Sequence, residues 1–372
     1  MRFRKKNILI ISPESWGINM LSKHHYALAL AKINSSVFFL NPPTPNHARI
    51  EILEGPPNIK IINYSPFIRG SNRLTGVLSP LADYINLIDI KKLREAINQP
   101  IDIVWNFDSF RFQNFNLFKP AFCIFHPVDF VNSTINLQAA STSDVIFSVA
   151  KPILDNYSSV KTPAFFINHG LSPSFLDLDE NELEKKDSII RCGYVGNLLS
   201  HAIHYENLTR IVKENESIEF HFIGPYQSSN LGNFKSSEQL QKISQLQNVT
   251  FYGEKPPTEI AKMINGFDLF LICYYPEKAG KVVSNNHKIL EYLSTGKVVV
   301  SSYTSTYEHN STDLIEMVKN SKDLPLLFKE TIKKIELLNS PLHQKRRKEF
   351  AAQNSYDNHL KEIEAIISNR IN

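Results

Sequence analysis

The sequence predicts an α/β protein made of two doubly wound domains in tandem, and three observations carry that prediction. The chain has 372 residues, too many for one ordinary core and suited to two α/β domains. Short apolar runs without polar alternation are separated by helical patterns, as expected of parallel strands covered on both faces. The texture breaks between Leu171 and Asp187, where LSPSFLDLDENELEKKD is polar and acidic, and a second strand–helix series then begins. The expected organisation is a first domain at 1–172, a linker at 173–187, a second domain at 188–345 and a tail at 346–372.

In the first domain the expected strands are Ile8–Ile11, Val37–Leu40, Ile59–Ile62, Ile101–Trp105, Ala121–Phe125, Val145–Ser148 and Ala164–Ile167. The first sits behind the basic flank MRFRKKN, and its apolar run ends at Pro13, too short for a signal-peptide core. Leu21–Ile33 has Tyr26, Leu30 and Ile33 at helical spacing, and Leu81–Asn98 is a second helix. In the second domain the expected strands are Ile189–Val195, Ile218–Ile223, Val249–Tyr252, Leu269–Tyr274 and Lys297–Ser301. Helices are expected at Tyr205–Lys213, Thr258–Ile264 and Asn286–Ser294, with Leu208, Ile211 and Val212 as a core-facing stripe on the first and Gly296 as the cap glycine of the last. Leu360, Ile363 and Ile367 form an apolar stripe on a closing helix.

Composition limits the function classes. Hydrophobic residues at 42% against 21% charged exclude a disordered chain. A formal charge of +4 is too small for a nucleic-acid platform and is compatible with weak contact at an anionic membrane surface. Cys123, Cys192 and Cys273 are odd in number and far apart. They offer neither a disulfide framework nor metal spacing, so a reducing cytoplasm is the expected compartment. No window reaches the ~18 apolar residues of a membrane helix.

Two segments of the second domain carry candidate chemistry. In IIRCGYVGNLLS a strand runs into Gly193-Tyr194-Val195-Gly196-Asn197 and then a helix. Such a turn lets backbone approach a phosphate, and a ligand-free turn fits equally, since G-x-G-x-x-G is not met. In SNNHKILEYLSTGKVVVSS, Ser284 or Asn285 caps a helix whose first turn holds Asn286, His287 and Lys288. Glu291 lies on the same face as Lys288, where a carboxylate can take a ribose diol. An ordinary i,i+3 surface ion pair is the competing reading.

The ordered set GYVGN, HFIGP, VTFYGEKPPTEIAKMINGFDLFLICYY and NNHKILEYLSTGKVVVSS resembles the donor-binding half of a GT-B glycosyltransferase. The likeness is to the family 4-like group that includes teichuronic acid and capsule polysaccharide glycosyltransferases. SDVIFSVAKPILDNY followed by FFINHGLSPSF resembles that group's passage into the linker, and FAAQNSYDNHLKEIEAII resembles its closing helix. The resemblance implies a GT-B fold, two Rossmann-like domains facing across a cleft, with the C-terminal helix returning to the N-terminal, acceptor-binding domain. It implies a nucleotide-diphosphate sugar as co-substrate, with no bound cofactor. It places Gly196 and Asn197 beside the diphosphate, Ser284, Asn285, Asn286 and Lys288 on phosphate oxygens, Glu291 on the ribose, and Tyr252 and Gly253 in the nucleobase stretch. Where many members carry E-x7-E, the first position here is Val283. That leaves the donor sugar to loop backbone at Ser284–Asn285 and the stereochemistry open.

The acceptor is then expected in the first domain. Asp108 follows the strand IDIVW, and His126 with Asp129 follows AFCIF, so all three are candidate bases at strand ends for an inverting reaction. Ser15-Trp16-Gly17 is another rim segment, and His24 and His25 behind it read as packing or surface residues. Asp177-Leu178-Asp179 reads as a solvated charge run, not a metal-nucleotide DxD, and no His/Cys/Asp/Glu set has zinc spacing, so a metal-independent reaction is expected. Lys345-Arg346-Arg347-Lys348 reads as a solvated helix face, with a lipid-surface contact as the alternative. Phe110–Phe122, with Arg111 and Lys119, is read as core or as facing a lipid-linked acceptor. The expected partners are a nucleotide-sugar donor and a surface-polysaccharide or lipid-linked glycan acceptor, with no nucleic acid and a peripheral contact at the inner membrane face left open. The rival readings are a GT-B-type sugar-nucleotide epimerase and a catalytically degenerate nucleotide-binding partner protein.

Overall fold

The computed structural model describes residues 3–17, 20–44, 50–70, 78–131, 133–176, 178, 187–227, 238–275, 285–308 and 314–370. The chain divides into two compact units: Met1–Asn168 with Tyr356–Asn372, and His169–Ser355.

The first unit contains an eight-stranded sheet of β1 (Asn7–Ile11), β2 (Ser36–Leu40), β3 (Glu51–Glu54), β4 (Ile59–Asn63), β5 (Ile103–Asn106), β6 (Phe122–Phe125), β7 (Val145–Ser148) and β8 (Ala164–Phe166). Their order is β3-β4-β2-β1-β5-β6-β7-β8. Every neighbouring pair is parallel except β3 with β4. Helices α1 (Ser22–Lys32), α2 (Ser79–Ile97), α3 (Ser133–Thr142) and α4 (Lys151–Leu154) connect these strands. Both faces of the sheet are buried. Ile8 and Ile10 of β1 pack with Tyr26 and Leu30 of α1, while Leu9 and Ile11 pack with Ile90 and Leu93 of α2. Two-sided burial is why β1 reads as an unbroken apolar run.

The second unit contains β9 (Ile190–Val195), β10 (Ile218–Ile223), β11 (Val249–Phe251), β12 (Leu269–Ile272), β13 (Val298–Ser301) and β14 (Glu316–Met317). They form one parallel sheet in the order β11-β10-β9-β12-β13-β14. Helices α5 (Tyr205–Glu214), α6 (Glu238–Ser244), α7 (Pro257–Asn265), α8 (Lys288–Ser294), α9 (Leu324–Lys333), α10 (Ile335–Leu338) and α11 (Pro341–Gln353) accompany it. Leu208, Ile211 and Val212 of α5 are buried against Cys192 and Tyr194, as their stripe requires. Gly296 follows α8 with φ +78 and donates its N–H to Leu293 O at 2.9 Å.

The last helix, α12 (Tyr356–Arg370), belongs to the first unit and buries Tyr356, Leu360, Ile363 and Ile367 against the β1 side of that core. The Tyr356 ring meets Tyr26 edge-on at 5.0 Å. No described helix is long and apolar enough to cross a membrane.

Several expectations change. Edge strands β3 and β14 lack an apolar signature: EILE presents exposed glutamates, and β14 is two residues long. The segment expected to open the linker instead belongs to the second unit. Phe175 is buried there beside Leu171, whose N–H donates to Asn354 O at 2.8 Å. Asp177 and Asp179 lie outside the described residues. The aromatic run Phe110–Phe122 is mainly core, because Phe112, Phe115 and Phe118 are buried and Phe110 is exposed.

The basic run 345–348 is not uniformly solvated. Lys345 and Arg346 are exposed, but Arg347 is only 2% exposed. Its guanidinium donates to Leu314 O at 3.0 Å, Gly296 O at 3.0 Å and Leu338 O at 2.7 Å. Burial lowers its pKa to about 10, partly opposed by Glu316, so it stays charged at neutral pH. One cation thus ties the end of α8, the approach to β14 and the end of α10 onto α11. Arg347→Leu strands three buried carbonyls, each costing roughly 1–3 kcal/mol. Scanning calorimetry should show a loss of at least ~3 kcal/mol for it. Lys345→Leu, which removes an exposed pair with Glu349, should change stability by less than ~0.5 kcal/mol.

Candidate functional site

The second unit carries the better-formed candidate site, at the carboxyl end of β9. Here the strand order reverses: β10 lies on one side and β12 on the other. Such a switch point is where open parallel sheets bind ligands. The pairing of β9 with β12 covers only Cys192 and Gly193, so nothing in the ladder takes up Val195 on that side.

Tyr292 of α8 fills the position. Its hydroxyl accepts the Val195 N–H at 2.8 Å and donates to the Val195 carbonyl at 3.2 Å. The ring is fully buried and stacks on Phe270 of β12 at 4.2 Å and 5°. Burial pushes the hydroxyl's pKa well above its ordinary value, so it keeps the proton it donates. One side chain therefore completes the broken ladder and fastens α8 to the strand that leads into Gly196.

Gly196 and Gly224 make this rim thin. Gly196 has φ +155 and donates its N–H to Ile223 O at 2.9 Å. Gly224, after β10, has φ +136, and a Cβ there would lie 2.0 Å from Gly196 O, so only glycine fits. Gly253, after β11, accepts the Gly224 N–H at 2.8 Å. Three neighbouring strands are thus each followed by a glycine, with Gly224 bonded to Gly253 and Gly196 bonded to the last residue of β10. Asn197 is exposed beyond Gly196, and its side chain accepts the Leu199 N–H at 2.9 Å. Tyr252 is just exposed, with its hydroxyl 2.9 Å from His221 Nδ1.

On α8, Lys288 Nζ donates to both oxygens of Glu291, at 3.2 and 3.0 Å. The pair is not a solvated surface contact, since Glu291 is 9% exposed and the Lys288 side chain 20%. Tyr292 is the next residue, so its anchoring to β9 fixes this pair as well. The helix begins two residues later than expected. Asn286 lies before it, its Oδ1 accepting the Lys288 N–H at 3.0 Å and its carbonyl accepting Ile289 N–H at 3.1 Å. Asn285 is half-buried; Ser284 and Val283 lie outside the described residues. His169, the first residue of the unit, meets His287 edge-on at 5.9 Å.

In the first unit the three candidate bases differ in setting. Asp108 is buried. Its carboxylate accepts Phe110 N–H at 2.8 Å and Arg111 Nε at 2.6 Å. Arg111 in turn donates to Asn41 O and the Tyr64 hydroxyl, at 3.0 and 3.1 Å, and to Ser12 O. Asp108 therefore orients a buried strut that ties together the ends of β1, β2, β4 and β5. His126 is 1% exposed, sits 4.9 Å from Phe107, and accepts from Trp105 Nε1 at 3.3 Å. It is a core ring. Asp129 is exposed. Neighbouring atoms raise its pKa by desolvation, an effect weakened by solvent and opposed by Lys23. Lys23 is itself buried and paired with Glu14.

His24 is a loop clasp, in keeping with a packing role. Its Nδ1 accepts the Leu21 N–H at 3.0 Å, which leaves Nε2 to donate to Ser15 O at 3.1 Å. Sequence reasoning missed Tyr292 and Lys23, and it named Arg111 only as part of the aromatic run, not as a fastener of strand ends. A tyrosine next to Glu291 was visible, but nothing local shows that β12 diverges from β9.

No protein-family model matches the sequence, and no curated protein sequence matches it. Solved structures do resemble the fold. Sucrose-phosphate synthase from Thermosynechococcus elongatus superposes with a TM-score of 0.72 at 11% identity, over 98% of each chain. The E. coli trehalose-6-phosphate structure bound with UDP-2-fluoro glucose gives 0.71 at 11%, covering 98% of this chain and 99% of that one. Anabaena HepE in complex with UDP and glucose gives 0.63 at 13%, covering 97% and 99%. This chain has the GT-B fold. These neighbours are not the teichuronic acid and capsule enzymes that the motifs resemble.

Removing the Tyr292 hydroxyl tests its structural role. Tyr292→Phe leaves the Val195 N–H and C=O unpaired at a buried strand end. Denaturant unfolding should report a loss of about 1–3 kcal/mol for this single oxygen.

Proposed function

We propose that the chain is a glycosyltransferase that moves a sugar from a nucleoside-diphosphate sugar, bound by the second unit, to a surface-polysaccharide or lipid-linked glycan acceptor. The observation that carries this reading is the partly buried Lys288–Glu291 pair on a helix locked by Tyr292 to the switch-point strand. A carboxylate held there suits a ribose diol, and an ammonium beside it suits a diphosphate. The GT-B fold, the UDP-2-fluoro glucose bound in one structural neighbour and the UDP in another support the same reading. Teichuronic acid-like or capsule-like acceptor chemistry rests on the sequence motifs alone.

In this mechanism the glycine rim at Gly196 and Gly224 admits the diphosphate close to the backbone. Glu291 fixes the ribose, and Lys288 turns from its carboxylate partner toward the phosphate oxygens. The departing nucleoside diphosphate gains negative charge as the glycosidic bond breaks, and Lys288 stabilises that charge where it forms. Tyr252 and Gly253 flank the nucleobase. Of the three candidate bases, Asp129 is the exposed one and takes the acceptor hydroxyl proton if the reaction inverts. Asp108 and His126 act through structure, one on Arg111 and the other within the core.

A thermal-shift panel of nucleoside diphosphates and their sugars tests the proposal. A ligand at a hundredfold excess over its Kd stabilises the folded chain by ~2.7 kcal/mol. One nucleoside diphosphate, with UDP the first to try, should raise the melting temperature of the wild-type chain. Lys288→Met and Glu291→Gln should abolish that shift in chains that still unfold in one cooperative transition, at a lower unliganded melting temperature where the buried partner is left unpaired. Asp129→Asn should keep the shift and lower transfer by ~100-fold or more if it is the base. No shift with any nucleotide, or one that both α8 variants retain, contradicts the reading.

A further inference from the structure

The first unit carries an apolar surface that its own core does not use. On α2 the buried residues are Ala82, Ile85, Asp89, Ile90, Leu93 and Ile97, which define its inner face. The opposite face should be polar in a helix that only meets water. Instead Leu81, Tyr84 and Leu87 are exposed, Tyr84 to 62%. Leu78 is exposed just before the helix.

A second segment extends this surface. Phe67 and Ile68 are also exposed. The Phe67 N–H donates to Asp89 Oδ1 at 2.9 Å, which holds this loop against α2. Lys92 Nζ then lies over the Phe67 ring, 4.8 Å from its centre. The exposed aromatic group of the loop is therefore held beside the Asp89–Lys92 turn of the helix that carries Leu81, Tyr84 and Leu87, and exposed apolar groups gathered on one part of a surface mark an interaction site.

The charges beside it have one dominant sign. Arg69, Lys91 and Lys92 are exposed around the patch, Glu95 is the exposed acid one turn further on, and Asp89 is buried and engaged by the loop. Along the outer face of α2 the order is apolar through Leu87 and then Lys91 and Lys92. An interfacial segment needs that pattern: apolar groups enter the acyl boundary while lysines and arginine meet anionic headgroups. A protein partner would be met by an apolar patch without requiring a basic rim, whereas basic residues beside such a patch add attraction to an anionic membrane.

We infer that the Phe67–Arg69 loop and the outer face of α2 form a docking surface for an anionic lipid membrane. This inference is independent of the nucleotide site and differs from the basic run at 345–348, in which Arg347 is internal. The full-length chain should co-float with vesicles of equal parts phosphatidylglycerol and phosphatidylcholine, and at least tenfold less with phosphatidylcholine alone. Leu81→Glu with Tyr84→Glu should remove co-flotation, and so should Lys91→Glu with Lys92→Glu. Both variants should keep the wild-type melting temperature and any nucleotide-induced shift, because the altered side chains are exposed. The inference fails if wild type does not float, if the variants float as wild type does, or if floating is equal on both vesicle types. It fails equally if sedimentation shows a dimer that the α2 variants dissociate while vesicle binding is unchanged, since a second copy would then cover the stripe.

Discussion

The geometry of the second unit depends on how one strand end is satisfied. Strand β9 pairs with β12 for two residues and then loses its partner. A buried strand end with an unpaired N–H and C=O is costly, and the usual solution is another strand or a water. Here the solution is the Tyr292 hydroxyl, which makes both hydrogen bonds to Val195. Because a phenol serves as donor and acceptor at one atom, the splay of two strands is sealed by a helix. The helix so anchored carries the Lys288–Glu291 pair, and the strand it is anchored to leads into Gly196. Structure and candidate function are thus coupled through a single residue with no expected contact to substrate.

The first unit solves a similar problem by other means. Its strand ends are gathered by a charged side chain, Arg111, which reaches carbonyls after β1 and β2 and is oriented by Asp108. A buried guanidinium needs its donors occupied, and at Arg111 the Asp108 carboxylate balances the charge as well. Arg347 performs a comparable task in the second unit with carbonyls as partners, and its pKa falls accordingly. Two arginines that look like surface charge in sequence are internal fasteners.

Much of the fold was legible because both faces of most strands are buried. Val145–Ser148 was bounded to the residue, since an apolar run covered on two sides begins and ends with its strand, and Ile218–Ile223 was bounded by its terminal isoleucines although Glu219 and His221 interrupt it. β3 and β14 were illegible for the opposite reason: an edge strand needs no apolar face, and EILE reads as charged loop. The stripe of Leu360, Ile363 and Ile367 identified the last helix, but the residue at which the chain passes from one unit to the other depends on tertiary packing. The candidate site was partly legible. Lys288 and Glu291 stood out by spacing, whereas their burial and their link to β9 through Tyr292 depend on where β12 goes. His126 and Asp108 show the limit of position-based reasoning. Both follow strands at the expected rim, yet an imidazole among aromatic rings and a carboxylate saturated by an arginine are already committed to the interior.

The glycine rim and α8 are proposed to form one nucleotide-diphosphate pocket within the second unit. Photolabelling tests it most directly: an azido-uridine diphosphate sugar, or the analogue of whichever nucleotide binds, is irradiated with the chain and the modified peptides are mapped by mass spectrometry. The account predicts labelling in peptides spanning 194–197, 252–254 or 285–291, suppressed by excess unlabelled nucleotide. Competable labelling confined to other peptides of the chain would contradict it.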